Sequence, residues 1–102
     1  MKIQKCLNRN GVLQTLRHFK EMNAERYAIN QMGLFGSLAR ETDNENSDVD
    51  VVVELSEPDL FVLISIKQNL EEILKCHVDI VRYRETMNPF LKKRIQKEAV
   101  YV

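Results

Sequence analysis

Gly33-Leu-Phe-Gly-Ser-Leu-Ala-Arg-Glu-Thr-Asp-Asn-Glu-Asn-Ser-Asp-Val-Asp-Val-Val-Val53 is the stretch of sequence that decides the fold. In its second half, Asp48 and Asp50 enter a β-branched run. Because strand residues two apart point to the same face, these two carboxylates project together. Neighbouring carboxylates repel each other and are costly to desolvate unless a cation lies between them. Since Mg²⁺ typically binds one or two carboxylates plus substrate phosphates, the pair predicts a metal site.

The first half of the same stretch supplies a complementary anion site. Gly36 and Ser37 end an apolar run, and ten residues separate Ser37 from Asp48. A glycine lets backbone come close to a ligand, and a serine is a good N-cap for the short helix that can begin at Leu38. Free N–H groups at a helix N-terminus bind phosphate. The turn therefore predicts contact with the phosphates of a nucleotide.

The alternative interpretation of each half is structural. A Gly-Ser pair alone is no signal, and an Asp-x-Asp pair at the start of a strand is more often turn chemistry or an exposed polar edge. The combination of a strand, Gly-Ser, a linker able to form a helix, and Asp-Val-Asp running into Val-Val-Val favours the site.

The remaining patterns predict alternating helices and strands. Apolar residues at three- and four-residue spacing predict helices, and β-branched alternation predicts strands. The predicted elements are a helix over 10–24 capped by Asn10, a strand over 31–35, a strand over 48–55, a helix over 59–75, a strand over 77–83, and a helix from Asn88 to Glu98.

Two of these elements carry features that need an explanation. The 59–75 helix places Leu60, Leu63, Ile64, Leu70, Ile73 and Leu74 on one face. Phe61, Val62 and Ile66 widen the apolar surface beyond that face, which predicts either a deeply buried helix or a partner-binding surface. In the 77–83 strand, Asp79 opposes the apolar face. An aspartate in an apolar strand is costly unless it has a partner, and a metal held by the neighbouring strand supplies one.

Composition limits the classes of function. The 102 residues contain fifteen basic and fifteen acidic side chains, so the formal charge is zero. Only the cluster of Lys92, Lys93 and Arg94 is basic, which argues against nucleic acid as a partner. We expect one domain without a signal peptide or a membrane span, located in the cytoplasm. Cys6 and Cys76 are far apart and match no zinc spacing, so we expect no structural zinc.

The pattern Gly36-Ser37, ten residues, Asp48-x-Asp50 resembles the signature of the DNA polymerase beta-like nucleotidyltransferase superfamily. Within it, the segments 34–40 and 47–53 are most similar to the minimal nucleotidyltransferases (MNT), many of which are antitoxins of HEPN/MNT toxin–antitoxin pairs. The resemblance covers most of the chain. It implies an α+β fold, the nucleotidyltransferase fold, with a small mixed β-sheet of three or more strands flanked by helices in one domain spanning residues 1–102.

The resemblance also implies an activity: transfer of AMP from ATP to a hydroxyl, with two Mg²⁺ ions, and the acceptor it implies is a tyrosine of a HEPN toxin. The ligands and catalytic residues implied are Asp48, Asp50 and Asp79. Gly36, Ser37 and Arg40 would hold or neutralise the phosphates of ATP.

Alternatives stay open at this point. The chain is either a catalytic antitoxin, a stoichiometric antitoxin that neutralises its partner by binding, or a small-molecule nucleotidyltransferase like the antibiotic-modifying relatives. A homo-oligomer and a hetero-oligomer are both compatible with the sequence. Family members usually carry glycine where this chain has Glu41, which puts the exit of the short helix and the charge beside the phosphates in question.

Overall fold

The computed structural model describes residues 8–36 and 49–102, which form a mixed sheet with helices on both faces. In chain order the elements are α1 (Arg9–Tyr27), β1 (Ile29–Phe35), β2 (Val49–Leu55), α2 (Leu60–Leu74), β3 (Val78–Arg82), α3 (Pro89–Glu98) and β4 (Val100–Tyr101). The strand order is β3, β2, β1, β4. β1 is antiparallel to β2 and β4, whereas β2 and β3 are parallel. The predicted α+β class with a mixed sheet is confirmed.

Two apolar clusters lie on opposite faces of the sheet, because side chains alternate along each strand. The larger cluster joins α1 and α2 to one face, and it includes Leu16, Met32, Val51 and Leu70. The smaller cluster joins α3 to the other face through Phe35, Val52 and Ile95. The sheet is therefore the middle layer, with α1 and α2 on one face and α3 on the other.

The helix termini match the predicted positions closely for α3 and less closely for α1. The Asn88 side chain accepts hydrogen bonds from the backbone N–H groups of Phe90 and Leu91, as expected for an N-cap. The cap of α1 is Asn8, whose side chain accepts from Gly11 N at 2.8 Å, and the predicted cap Asn10 is wrong. Asn10 lies inside the helix, which begins at Arg9.

The buried face of α2 differs from the predicted one. Ile66, Leu70 and Leu74, spaced four apart, are buried. Three residues assigned to the core face are exposed instead: Leu60, Ile64 and Ile73. When apolar residues cover more than one face of a helix, their period does not select the buried side. Contact with the sheet selects it.

The four strands agree with the predicted sheet of three or more strands, but two parts of the sheet were not among the predicted elements. β1 begins at Ile29, two residues before the predicted 31–35 strand, and a register shift lies between Ile29 and Gln31. β4 was not predicted, and it pairs Val100 with Leu34. Both additions depend on hydrogen bonds between distant segments, which propensity does not contain.

None of the helices in the described ranges combines the length and the apolar character that a membrane crossing requires.

Candidate active site

Two aspartates lie side by side near the beginnings of β2 and β3. Asp50 is the register partner of Asp79 across the parallel pair, and it opposes Phe35 across the antiparallel pair. Adjacent strands are about 4.8 Å apart. Because Val49 and Val51 face the larger core, Asp50 and Asp79 project to the face that carries α3. The Asp79 side chain is 49% exposed, so it is accessible to a ligand.

The turn after β1 closes against the first of these carboxylates. Gly36 is buried and has φ +85°, in the left-handed region that favours glycine. A Cβ at this position would overlap with a carboxylate oxygen of Asp50. The close approach therefore requires glycine on two independent grounds, backbone conformation and space. It places the start of the Gly-Ser turn directly beside the aspartate pair.

A chain of polar contacts connects α2 to the Asp79 carboxylate. The His77 ring lies between two acids, with Nε2 3.1 Å from Asp79 Oδ1 and Nδ1 3.2 Å from Glu71 Oε2. The same Glu71 oxygen accepts from Val78 N at 3.0 Å and from Lys67 Nζ at 2.6 Å. These contacts link the helix, the turn after it and the strand that carries Asp79.

The charge of Glu71 is stabilised by these neighbours. The hydrogen bond from Lys67 is the largest cause that lowers the pKa of the Glu71 carboxyl, and the hydrogen bond from the backbone N–H of Val78 adds to it. Both donors favour the ionised form. Glu71 is therefore a fixed negative group on one side of the His77 ring.

Of the six residues assigned to the site from sequence, the structure describes three and brings them together: Gly36, Asp50 and Asp79. The other three lie outside the described residues: Ser37, Arg40 and Asp48. Glu41 does as well. The structure thus establishes the neighbourhood of the aspartates and the glycine, while the assignment of ligand and catalytic roles stays a prediction.

Sequence reasoning missed His77 as a member of this neighbourhood. A signal was present, because His77 and Asp79 are two residues apart and strand spacing puts such side chains on one face. Arg94 belongs to the basic cluster of α3 that the sequence shows. Its guanidinium carbon lies 5.9 Å from the centroid of the Phe35 ring, the residue just before the turn. That contact joins α3 to β1, and nothing in the local sequence indicates it.

Two further features bear on where a ligand binds. Within residues 8–36 and 49–102, no three His, Cys, Asp or Glu side chains are grouped to hold a metal, and Asp48 lies outside these ranges. A groove of about 690 Å³ is lined by residues of α1 and α2, among them His18, Met22 and Ile73. These helices cover the face opposite Asp50 and Asp79, so the groove is separate from the carboxylate pair.

Comparison with known proteins gives one family and several relatives. The family model for the nucleotidyltransferase domain matches residues 16–102. A Methanocaldococcus jannaschii protein provisionally named protein adenylyltransferase MJ1217 is 33% identical over 92 residues, 89% of this chain and 94% of the relative. The protein adenylyltransferase MntA of Thermococcus cleftensis is 36% identical over 86 residues, 83% of this chain and 85% of that protein.

Solved structures share the fold. A provisionally assigned minimal nucleotidyltransferase has a TM-score of 0.75 at 29% identity, covering 92% of this chain and 95% of its own. A toxin–antitoxin structure with AMP-PNP has a TM-score of 0.68 at 24% identity, covering 93% and 72%. A tri-AMPylated HEPN toxin of Shewanella oneidensis in complex with MNT antitoxin gives 0.68 at 18% identity, covering 91% and 70%.

Proposed function

Because this chain belongs to the nucleotidyltransferase domain family and is a nucleotidyltransferase, we propose that it transfers AMP from ATP to a tyrosine hydroxyl of a HEPN-domain toxin and so acts as an antitoxin. The observation that carries the proposal is the pairing of Asp50 with Asp79 beside Gly36. The names of the relatives support protein adenylylation. The AMPylated HEPN toxin in one structural neighbour supports the acceptor. We place the protein in the cytoplasm, where ATP is available.

The donor set fits Mg²⁺. Carboxylate oxygens are the ligands that this ion prefers, and Asp50 and Asp79 come from adjacent strands on one face. Asp48 precedes β2 in the chain and would complete the set. When bound, two Mg²⁺ ions stabilise the attacking and leaving oxygens of an in-line displacement. The lack of a side chain at Gly36 leaves room for the Asp50 carboxylate beside the turn.

The remaining chemistry belongs to the side chains and to the turn. The acceptor hydroxyl oxygen forms a bond to the α-phosphorus, and the bond from that phosphorus to the bridging oxygen breaks, releasing pyrophosphate. In the proposed reaction Asp79 takes the proton of the acceptor hydroxyl. Gly36 and Ser37 hold the β- and γ-phosphates, and Arg40 neutralises part of their charge.

Label transfer tests the proposal. The protein is incubated with α-³²P-ATP, Mg²⁺ and the product of its neighbouring gene, and label on that product is measured. We expect transfer by the wild type and its loss in Asp50→Asn. Asp59→Asn is the matched control, because Asp59 caps α2 and asparagine is an equally good N-cap. Absence of transfer by the wild type, or label that survives Asp48→Asn combined with Asp50→Asn, contradicts the proposal.

A second candidate function is stoichiometric neutralisation by binding. It is favoured by apolar side chains exposed at the first turns of α2 and α3, where Leu60 is 68%, Phe61 78% and Phe90 82% exposed. These helices follow the ends of β2 and β3, whereas Asp50 and Asp79 lie near the starts of those strands. Binding through the exposed side chains of either helix would not require the aspartates.

Toxin neutralisation in cells separates the two functions. If catalysis is responsible, the Asp48→Asn, Asp50→Asn double variant fails to neutralise the toxin although it still binds it. If binding is responsible, the double variant neutralises normally, and Phe61→Ser combined with Leu60→Ser fails. The catalytic proposal predicts the first outcome.

A further inference from the structure

His77 lies between the helix α2 and the Asp79 carboxylate, and its Nε2 is 3.1 Å from Asp79 Oδ1. An ionised carboxylate only accepts hydrogen bonds, so this contact requires the ring to donate from Nε2. Resting on the proposed transfer reaction, we propose that His77 is a positioning residue: it holds Asp79 Oδ1 so that the carboxylate presents its other oxygen, Oδ2, to the cation and the acceptor.

The second ring nitrogen of His77 lies beside another acid, Glu71. Nδ1 lies 3.2 Å from Glu71 Oε2, and that oxygen also accepts from Val78 N and Lys67 Nζ. Val78 is the first residue of β3 and Lys67 belongs to α2, so Glu71 is fixed to two elements. The His77 side chain, 54% exposed, therefore lies between two acids that belong to different elements, Glu71 on α2 and Asp79 on β3.

Orientation matters at Asp79 because its side chain is half exposed. The torsion that rotates a carboxylate about its Cβ–Cγ bond is broad, so an exposed aspartate does not hold one geometry by itself. Hydrogen-bond partners of metal-ligating carboxylates supply that restraint, and their removal typically lowers metal affinity or activity about 10- to 100-fold. His77 is the described side chain that contacts Asp79 in this way.

Three substitutions at position 77 test whether His77 acts as a hydrogen-bond donor to Asp79 or only fills space beside it. The amide nitrogen of glutamine reaches about as far along the side chain as Nε2, whereas that of asparagine reaches about as far as Nδ1. His77→Gln therefore retains a donor toward Asp79, and His77→Asn retains one only toward Glu71. His77→Ala removes both. His18→Ala is the control, since His18 is an exposed residue of α1 on the other face.

Mn²⁺ binding in the presence of AMP-PNP, followed by electron paramagnetic resonance of the free ion, is measured independently of transfer. We expect the dissociation constant to rise about 10-fold in His77→Ala and His77→Asn, and to stay near the wild-type value in His77→Gln and His18→Ala. Equal affinity in all variants, or a glutamine variant as weak as the alanine variant, overturns the inference.

Steady-state transfer gives a second readout. We expect the Mg²⁺ concentration for half-maximal rate to rise in His77→Ala and to be restored by glutamine, with little change in KM for ATP. A variant that was only partly folded would lower the rate at every Mg²⁺ concentration equally. If the wild type transfers AMP and His77→Ala shows the same dependence of rate on Mg²⁺ concentration, the inference is overturned and the proposed function stands. Wild-type Mn²⁺ binding without transfer overturns the proposed reaction, whereas failure of the wild type to bind Mn²⁺ overturns both.

Discussion

At the scale of single residues, Gly36 has the most sharply constrained position in the described part of the site. Its φ of +85° and the close approach of the Asp50 carboxylate both exclude a side chain without rearrangement. A Cβ at this position would cause both backbone strain and steric overlap. Substitution at this position therefore affects both folding and the geometry of the aspartate pair.

We predict that Gly36→Ala destabilises the protein by at least about 1–2 kcal/mol, the cost of forcing an L-residue into the left-handed region. Label transfer should also fall, because the methyl group displaces Asp50. Urea unfolding and the transfer assay check the two effects. Gly11→Ala in α1 is the matched control, since alanine in a helix is more favourable than glycine by about 0.5–1 kcal/mol. A Gly36→Ala protein with wild-type stability and activity would contradict the structure of the turn.

At the scale of elements, the contact between α2 and β3 depends on one carboxylate. Glu71 accepts hydrogen bonds from Lys67 on its own helix and from the first residue of β3, Val78. These bonds lower the pKa of Glu71 in the folded protein. A carboxyl group with a lowered folded-state pKa stabilises the fold while it is ionised. That stabilisation is present above its unfolded-state pKa and is lost as pH falls through the folded-state value.

We therefore predict that Glu71→Gln lowers the melting temperature at pH 7 and that the difference from wild type shrinks as the solution is acidified below the usual pKa of glutamate. Thermal unfolding followed by circular dichroism over that pH range is the measurement. The control is Glu72→Gln, one residue later on α2 with an exposed side chain. A difference between wild type and Glu71→Gln that stays constant with pH would show that ionisation of Glu71 is not responsible.

At the scale of the whole molecule, the sheet decides which apolar residues form the core. Ile66 and Phe61 both belonged to the apolar surplus of α2, yet Ile66 is fully buried and Phe61 is 78% exposed. The two positions are five residues apart on one helix. Their environments differ because α2 packs on the sheet and on α1 along one side only.

We predict that Ile66→Ala lowers the free energy of unfolding by about 2–5 kcal/mol, through lost burial and the cavity left behind. Phe61→Ala should change it by no more than about 0.5 kcal/mol, as expected for an exposed position. Urea unfolding measures the free energy of unfolding of both variants, and the comparison holds if the dependence of that free energy on urea concentration is unchanged. A larger loss of unfolding free energy for Phe61→Ala than for Ile66→Ala would mean that α2 packs on the sheet through a different face.

The sequence by itself determined most of the elements, because hydrophobic period and capping residues are local signals, and its resemblance to the minimal nucleotidyltransferases implied the α+β class. Asn88 and the β-branched run after Asp50 are examples. It also indicated the glycine turn and the same-face spacing of the aspartates, since strand geometry alone gives that alternation.

Only the tertiary structure decided which segments meet. The register that pairs Asp50 with Asp79, the addition of β4, the buried side of α2 and the contact of His77 with Glu71 join residues through neighbouring elements. Local propensity contains no information about partners on another element, because those contacts form only when the chain packs. The spacing of a few residues thus indicated which side chains form the site, and packing decided which residues of other elements contact them.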